Sequence, residues 1–253
     1  MRLASLALAA ALAAGVAGPV AAAEEGPGLP EVHWPFTGLF GTYDNATLRR
    51  GFEVYKQVCS NCHSMKLLYY RNLEAIGFTP DQVKEIAASV QVQDGPNDQG
   101  EMFDRPGRPS DHFHSPFAND QAARAANNGA LPPDMSLLAK AREGGPTYIH
   151  ALMLGYTDPP ADFKLAQGMN YNKYFPGHQI AMPQPLSDDV VTYSDGTKAT
   201  LDQEAKDVAS FLMWTAEPKL DDRKHMGVKV MLFLVVLTLM LYAVKRKIWA
   251  AVH

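Results

Sequence analysis

The sequence predicts a mainly α-helical chain with long loop insertions, closed by one C-terminal transmembrane helix. Three features predict it. Several stretches carry apolar residues at helical spacing behind recognisable capping residues. The segments between them are rich in proline and glycine, of which the chain has 18 and 19. Residues 226–244 then form an apolar run without a single acidic group. The 253 residues allow one sizeable domain plus extras. A hydrophobic content of 47% and a charged content of 20% argue against disorder.

Residues 1–23 read as a secretory signal. Arg2 supplies the positive start, residues 3–16 an Ala/Leu-rich stretch, and Ala21-Ala22-Ala23 a small-residue cleavage site before Glu24. Residues 24–43, with Pro27, Pro30, Trp34, Pro35, Phe36 and Phe40, read as an extended arm lying over a domain surface. Helical periodicity begins near Asn45. It places Leu48, Phe52 and Tyr55 on one face and runs into Cys59. Thr79-Pro80-Asp81-Gln82 is a helix start with a capping box, followed by Val83, Ile86, Ala87 and Val90 at helical spacing.

Residues 91–115 read as a loop. Short helices are expected at 121–127, 136–142 and 147–154, and another loop at 155–186. A small hairpin is expected at 190–198 around Asp195-Gly196. A last soluble helix starts at Thr200 with a second capping box through Gln203, and Ala205, Val208, Ala209 and Leu212 form its apolar stripe.

At about 1.5 Å per residue, residues 226–244 reach roughly 28 Å, enough for a hydrocarbon core. Lys245-Arg246-Lys247 and Trp249 close the run at an interface. With the signal removed, the segment from Glu24 to residue 225 is expected in the periplasm, and residues 245–253 form a short cytoplasmic tail. The expected location is therefore the inner membrane of a bacterium, crossed once. Residues 24–227 hold all 27 acidic residues against 18 Lys and Arg, a net charge of −9. Such a surface attracts basic partners and argues against nucleic acid.

Two cysteines are too few for a disulfide framework. Cys59-Ser60-Asn61-Cys62-His63 has the C-x-x-C-H pattern of covalent haem c attachment. Both thiols must reach one edge of the same macrocycle to add to its vinyl groups, and the adjacent histidine then serves as an axial iron ligand. A zinc site would need four close ligands, and a thioredoxin-like pair would need a βαβ setting. One haem c is therefore expected, and with it one-electron transfer. The second axial ligand is open from the residues alone: Met102, Met135, Met153, Met169, Met182 and Met213, and several histidines, are available. Met182 stands out because Pro183-Gln184-Pro185 stiffens the chain after it.

The chain resembles the cytochrome c1 family, the haem c subunit of quinol–cytochrome c oxidoreductase. The likeness covers nearly all of the mature chain. Beyond residues 59–65 it rests on 92–97, 100–103, 122–134 and 171–177, on Ala205-Lys206-Asp207-Val208, and on Arg223-Lys224-His225-Met226-Gly227 before the single span. The resemblance implies that Met182, in Gln179-Ile180-Ala181-Met182-Pro183, is the second iron ligand. It implies that Arg124 approaches a haem propionate and that Leu131-Pro132-Pro133 packs on the macrocycle. It implies cytochrome b, a Rieske iron–sulfur protein, a basic soluble c-type cytochrome and membrane lipid as partners, in a respiratory or photosynthetic chain. The subunit by itself is not expected to be an enzyme.

A haem c subunit of a terminal oxidase is the alternative within electron transfer. A membrane-tethered haem sensor is the alternative from another class, although little chain follows the span to carry a signal. Covalent attachment has a direct consequence. On denaturing electrophoresis of matured protein, peroxidase-type haem staining is expected to stay on the band, and an unstained band would refute attachment through Cys59 and Cys62.

Overall fold

The first long helix, α1 (Asn45–Gln57), buries Leu48, Phe52, Val54 and Tyr55 and is capped by Asp44, whose carboxylate accepts from the Thr47 N–H. The structure is a computed structural model that describes residues 28–251. The signal read at residues 1–23 and the last two residues of the tail lie outside the described residues. In chain order α1 is followed by a 3-10 turn (Cys59–Asn61), a second 3-10 segment (Tyr70–Ile76), α2 (Pro80–Ala88), a hairpin of β1 (Gln91–Asp94) and β2 (Phe103–Pro106), α3 (Asp120–Ala126) and α4 (Gly145–Leu154). A two-residue pair, β3 (Asn170–Tyr171) with β4 (Gln179–Ile180), precedes α5 (Leu201–Ala216) and α6 (Leu220–Trp249). Both strand pairs are antiparallel. The architecture is mainly helical with long loops, as the periodicity predicts.

The core is organised by α1 against α5. Phe52 meets Phe211 with ring centres 5.8 Å apart, and Tyr55 meets Phe211 at 6.0 Å. Ala205, Val208, Ala209 and Leu212 are all buried, so the expected stripe is the packed face. Gly51 lets the backbones touch: a Cβ there would stand 2.1 Å from the Asp207 carbonyl oxygen. Arg50 crosses the same contact and grips buried Asp207 with Nε at 2.9 Å and a terminal nitrogen at 3.2 Å. The described part of the expected arm, residues 28–43, lies against α4 and α5. Trp34 and Phe36 are buried, and the Trp34 indole N–H donates to Thr147 Oγ1 at 2.8 Å.

Several expectations need correction. Residues 91–115 are not loop throughout, because they hold the β1–β2 hairpin. Its strands are largely exposed and lack an apolar face, so no period marks them. They are held by Arg105, which joins Asp94 to Asp111. The expected helix at 136–142 is a run of turns, closed by bonds such as Lys140 N–H to the Leu137 carbonyl at 3.0 Å.

The hairpin expected at 190–198 keeps its turn but forms no ladder. Its backbone donors go to side chains instead: Val191 to Glu204, Thr192 to Gln57 and Ser194 to Glu53. The second capping box is half made. Thr200 Oγ1 accepts from Gln203 N–H at 3.3 Å, while the Gln203 amide turns to Asp207 at 3.0 Å. Finally, α6 extends beyond residues 226–244 at both ends, and from Met226 onward nearly every side chain is exposed. Its length and composition suffice to cross a membrane.

Glu204 on α5 is buried without a cation. Its Oε1 accepts from Val191 N–H at 3.1 Å, and its Oε2 finds no partner among the described residues. Burial, reinforced by Asp188 and Asp189, pushes the carboxyl up to about 7. The folded chain then keeps a proton that the unfolded chain releases above roughly 4.3. Stability from this group is therefore lost as pH rises from about there to about 7. Glu204→Gln is expected to flatten that decline. In paired thermal melts, the variant's advantage over the parent should grow between pH 5 and pH 8; an advantage that does not change with pH would refute the assignment.

Candidate haem-attachment site

The end of α1 is built to turn the chain sharply. Ser60 Oγ donates to the Lys56 carbonyl at 2.8 Å, and the Asn61 amide donates to the carbonyls of Gln57 and Val58, both at 3.2 Å. These bonds satisfy carbonyls that a helix end leaves orphaned. Cys62 N–H at 3.1 Å and His63 N–H at 2.9 Å both donate to the Cys59 carbonyl. One turn thus gathers Cys59, Cys62 and His63. Cys59 packs against the core, and burial pushes its thiol up to about 12. Cys62 is exposed, and the two thiols are not bridged.

His63 is buried, and its Nδ1 lies 2.8 Å from the Pro133 carbonyl oxygen. With the proton on Nδ1, donated to that carbonyl, Nε2 carries a lone pair. Burial lowers the pKa of the ring and outweighs Pro133 and Asp134, which raise it, so the neutral imidazole is favoured at neutral pH. A backbone carbonyl on the far nitrogen is the usual way a ligating histidine is oriented.

Asp134 fastens the opposite loop to this turn. One of its oxygens accepts from Ser64 Oγ and from Lys66 N–H, each at 2.8 Å, and the other from Ser136 N–H at 2.9 Å. Met135 N–H to the Ser64 carbonyl at 2.8 Å and Leu67 N–H to Ser136 Oγ at 3.0 Å complete the seam. Burial raises the Asp134 carboxyl, but bonds from Ser136, Lys66 and Ser64 outweigh it and hold the group below the ordinary carboxylate range. Pro133 therefore stands beside His63, and Leu131, two residues before it, is exposed.

Met182 comes from a separate loop that is also pinned. Its carbonyl accepts from the Tyr156 hydroxyl at 3.1 Å and from Asn170 Nδ2 at 3.3 Å. Burial raises the Tyr156 phenol, so it stays a neutral donor. Fully buried Asn172 backs this loop, donating to the Leu152 carbonyl at 2.8 Å and accepting from Tyr174 N–H at 3.0 Å. Met182 is half-buried and packs against the same core as Cys59.

The other candidates have different surroundings. Met135 and Met153 are buried in the core, and Met102 is exposed on the β1–β2 hairpin connection. His178 stacks on Tyr171, and His150 bonds Asp202 at 2.8 Å. Arg124 lies on α3, exposed, with its guanidinium donating to the Gly129 carbonyl at 2.9 Å.

The structure brings Cys59, Cys62 and His63 together directly. Met182 sits on its own loop and Arg124 on α3, and among the described residues no hydrogen bond joins either to that turn. The donor set suits haem c: two unbridged thiols on one turn, an imidazole with its second nitrogen already committed, and a thioether on a restrained loop. Sequence reasoning gave no role to Asp134, Tyr156 and Asn170. The bonds that tie Asp134 to Ser64 and Tyr156 and Asn170 to Met182 span 12 to 70 residues, so no local pattern reveals them.

The Cytochrome C1 family profile matches residues 34–252. Cytochrome c1 of Rhodospirillum rubrum is 51% identical over 96% of this chain and 95% of its own length. A cytochrome b/c1 protein of Bradyrhizobium diazoefficiens is 46% identical over 92% of this chain and 37% of its own length. The mitochondrial cytochrome b-c1 complex catalytic subunit of Candida albicans is 48% identical, covering 91% of this chain and 81% of its own.

The seam held by Asp134 is testable by itself. Asp134→Ala leaves three donors without their acceptor, and is expected to cost about 1–3 kcal/mol. In hydrogen exchange, the amides of Lys66 and Ser136 should lose protection while those within α5 keep theirs. Unchanged protection at Lys66 and Ser136 would show that the seam does not depend on Asp134.

Proposed function

Because this chain belongs to the cytochrome c1 family, whose members carry covalently bound haem c, we propose that it relays single electrons from a Rieske iron–sulfur protein to a soluble, basic c-type cytochrome. It would do so beside cytochrome b in a bc1-type quinol–cytochrome c oxidoreductase, as an electron-transfer subunit and not as an enzyme by itself. The names of its relatives support cytochrome b as a neighbour. The observation that carries the reading is the turn at the end of α1, where two unbridged thiols stand just before a histidine whose Nδ1 is held 2.8 Å from a carbonyl.

Each residue has a role in this reading. Cys59 and Cys62 would form the thioether links, and His63 Nε2 and Met182 Sδ would ligate the iron. Haem, when bound, supplies the one-electron iron couple. Pro133 fixes the imidazole tautomer. Tyr156 and Asn170 hold the Met182 backbone, so the thioether loses little freedom on ligation. Histidine–methionine ligation favours the reduced iron and raises the potential, and burial raises it further. Arg124, exposed and with its guanidinium bound among the described residues to the Gly129 carbonyl, is the cation that the family resemblance assigns to a propionate.

In the same reading residues 1–23 are a signal removed on export. Residues 24–225 form a periplasmic domain, residues 226–244 the membrane span, and residues 245–253 the cytoplasmic tail, all in a bacterial inner membrane. The acidic balance of the exported part suits a basic mobile partner.

Met182→Leu tests the ligand assignment. It removes the thioether and opens a coordination position. The midpoint potential should fall by a sizeable part of the roughly 0.8 V range that axial ligands command, and the ferrous protein should bind carbon monoxide. A potential and spectrum that match the parent would pass the role to Met169 or His178.

A further inference from the structure

The arm before α1 carries an apolar tip that the fold leaves uncovered. Phe36 is buried against Trp34 and Tyr43, with ring centres 5.5 and 5.2 Å away. After Phe36 the chain doubles back. Thr37 donates to the Trp34 carbonyl from its N–H at 3.1 Å and its hydroxyl at 2.7 Å, and Gly38 has φ of 72°. Gly41 closes the turn so tightly that a Cβ there would stand 1.9 Å from the Thr37 carbonyl oxygen. Between these two glycines stand Leu39 and Phe40, 64% and 79% exposed. No described residue covers them.

The turn is bolted to the start of α6. The Lys224 ammonium donates to the Phe36 carbonyl at 2.7 Å and to the Gly41 carbonyl at 2.9 Å, one on each shoulder of the turn. The Tyr43 N–H reaches both carboxylate oxygens of Asp221 at 3.3 Å. Lys224 precedes Met226 by two residues, about 3 Å along a helix axis. From Met226 the apolar side chains of α6 are exposed to their surroundings. The tip is therefore fixed to the helix at the level where its exposed surface changes from charged to apolar. A pair of adjacent large apolar side chains at that level matches the boundary between headgroups and acyl chains.

We propose that Leu39 and Phe40 insert into the lipid interface of the leaflet that α6 enters, forming a second membrane anchor beside the helix. The proposal rests on the reading of α6 as a membrane span. Its occupant is lipid because the tip continues the apolar surface of α6 and shares its depth. One helix alone would leave the haem-bearing domain free to rock on its stalk. A second contact, held to α6 by Lys224 and joined through Tyr43 to the α5–α6 junction, limits that rocking.

The test uses the haem-loaded full chain in phosphatidylcholine vesicles. In it Cys59 and Cys62 are consumed by attachment, so a new cysteine is the one that takes a nitroxide label. Leu39→Cys and Phe40→Cys report on the tip, Met226→Cys on the span and Lys84→Cys on the exposed face of α2. Collision with oxygen against collision with a water-soluble nickel chelate reads the depth of each label. Both tip labels are expected to show an oxygen-to-nickel ratio several-fold above that at position 84 and near that at 226. A tip ratio equal to that at 84, with 226 still in lipid, would overturn the proposal and leave the span intact. Protection from both reagents would overturn it in favour of a protein surface covering the tip. An aqueous ratio at 226 would overturn the span, and the anchor with it.

Discussion

At the crossing of α1 and α5 the two helices touch through backbone, since Gly51 has no side chain and a Cβ would meet the Asp207 carbonyl oxygen at 2.1 Å. That approach lets Phe52 and Tyr55 reach Phe211, and it places Arg50 within reach of Asp207 in the interior. Burial raises the Asp207 carboxyl despite the pull of Arg50 and Gln203, so the pair gives less than its short distance suggests. Its value lies in register: a bidentate contact at one level of two helices fixes how far one can slide along the other. Everything at the end of α1, including the Cys59–His63 turn, inherits its position from that register. So does α6, which continues α5 after the break at Glu217-Pro218-Lys219.

The loops beyond α1 are held mainly by specific polar bonds. Asp134 gathers three donors, Asn172 bridges the end of α4 to the loop that carries Met182, and Tyr156 and Asn170 share one carbonyl. Long segments without regular structure must satisfy their backbone groups somewhere, and these side chains take that part. For the electron carrier proposed above, the consequence would be rigidity where the ligands are presented. If Met182 is the ligand, as proposed, a thioether on a loop already held by Tyr156 and Asn170 would need little reorganisation with each electron.

What was legible in the sequence follows from the range of the interactions involved. Thr79 and Gln82 cap each other three residues apart, so α2 could be read from a four-residue string. The C-x-x-C-H pattern is equally local. The β1–β2 hairpin was missed because Arg105, not an apolar face, holds it. The hairpin expected at 190–198 failed because Glu53, Gln57 and Glu204 compete for its backbone donors from distant helices. The stretch at 136–142 has helical spacing, but Ser136 lies in the seam beside Asp134 and its chain settles into turns. In the candidate site, the local string that gathers Cys59, Cys62 and His63 on one turn was legible. Asp134, Tyr156 and Asn170 were not, since each acts across a gap that only the folded chain closes.

The charge pattern separates in the same way into a part set by composition and a part set by structure. The net −9 over residues 24–227 governs attraction at a distance, because a partner several ångströms beyond contact senses mostly the sum. That range is bounded by screening to about 10 Å at 0.1 M salt. Docking depends instead on which carboxylates remain unpaired at the surface. Within the sequence cluster of Asp94, Asp98, Glu101 and Asp104, the fold gives Asp94 to Arg105, and the bond from that guanidinium holds the Asp94 carboxyl below its ordinary range. Asp98, Glu101 and Asp104 stay exposed on the turn side of the hairpin. The hairpin therefore adds less to a docking face than its four acids suggest, while the domain as a whole keeps its net negative field, which would attract the basic partner proposed above.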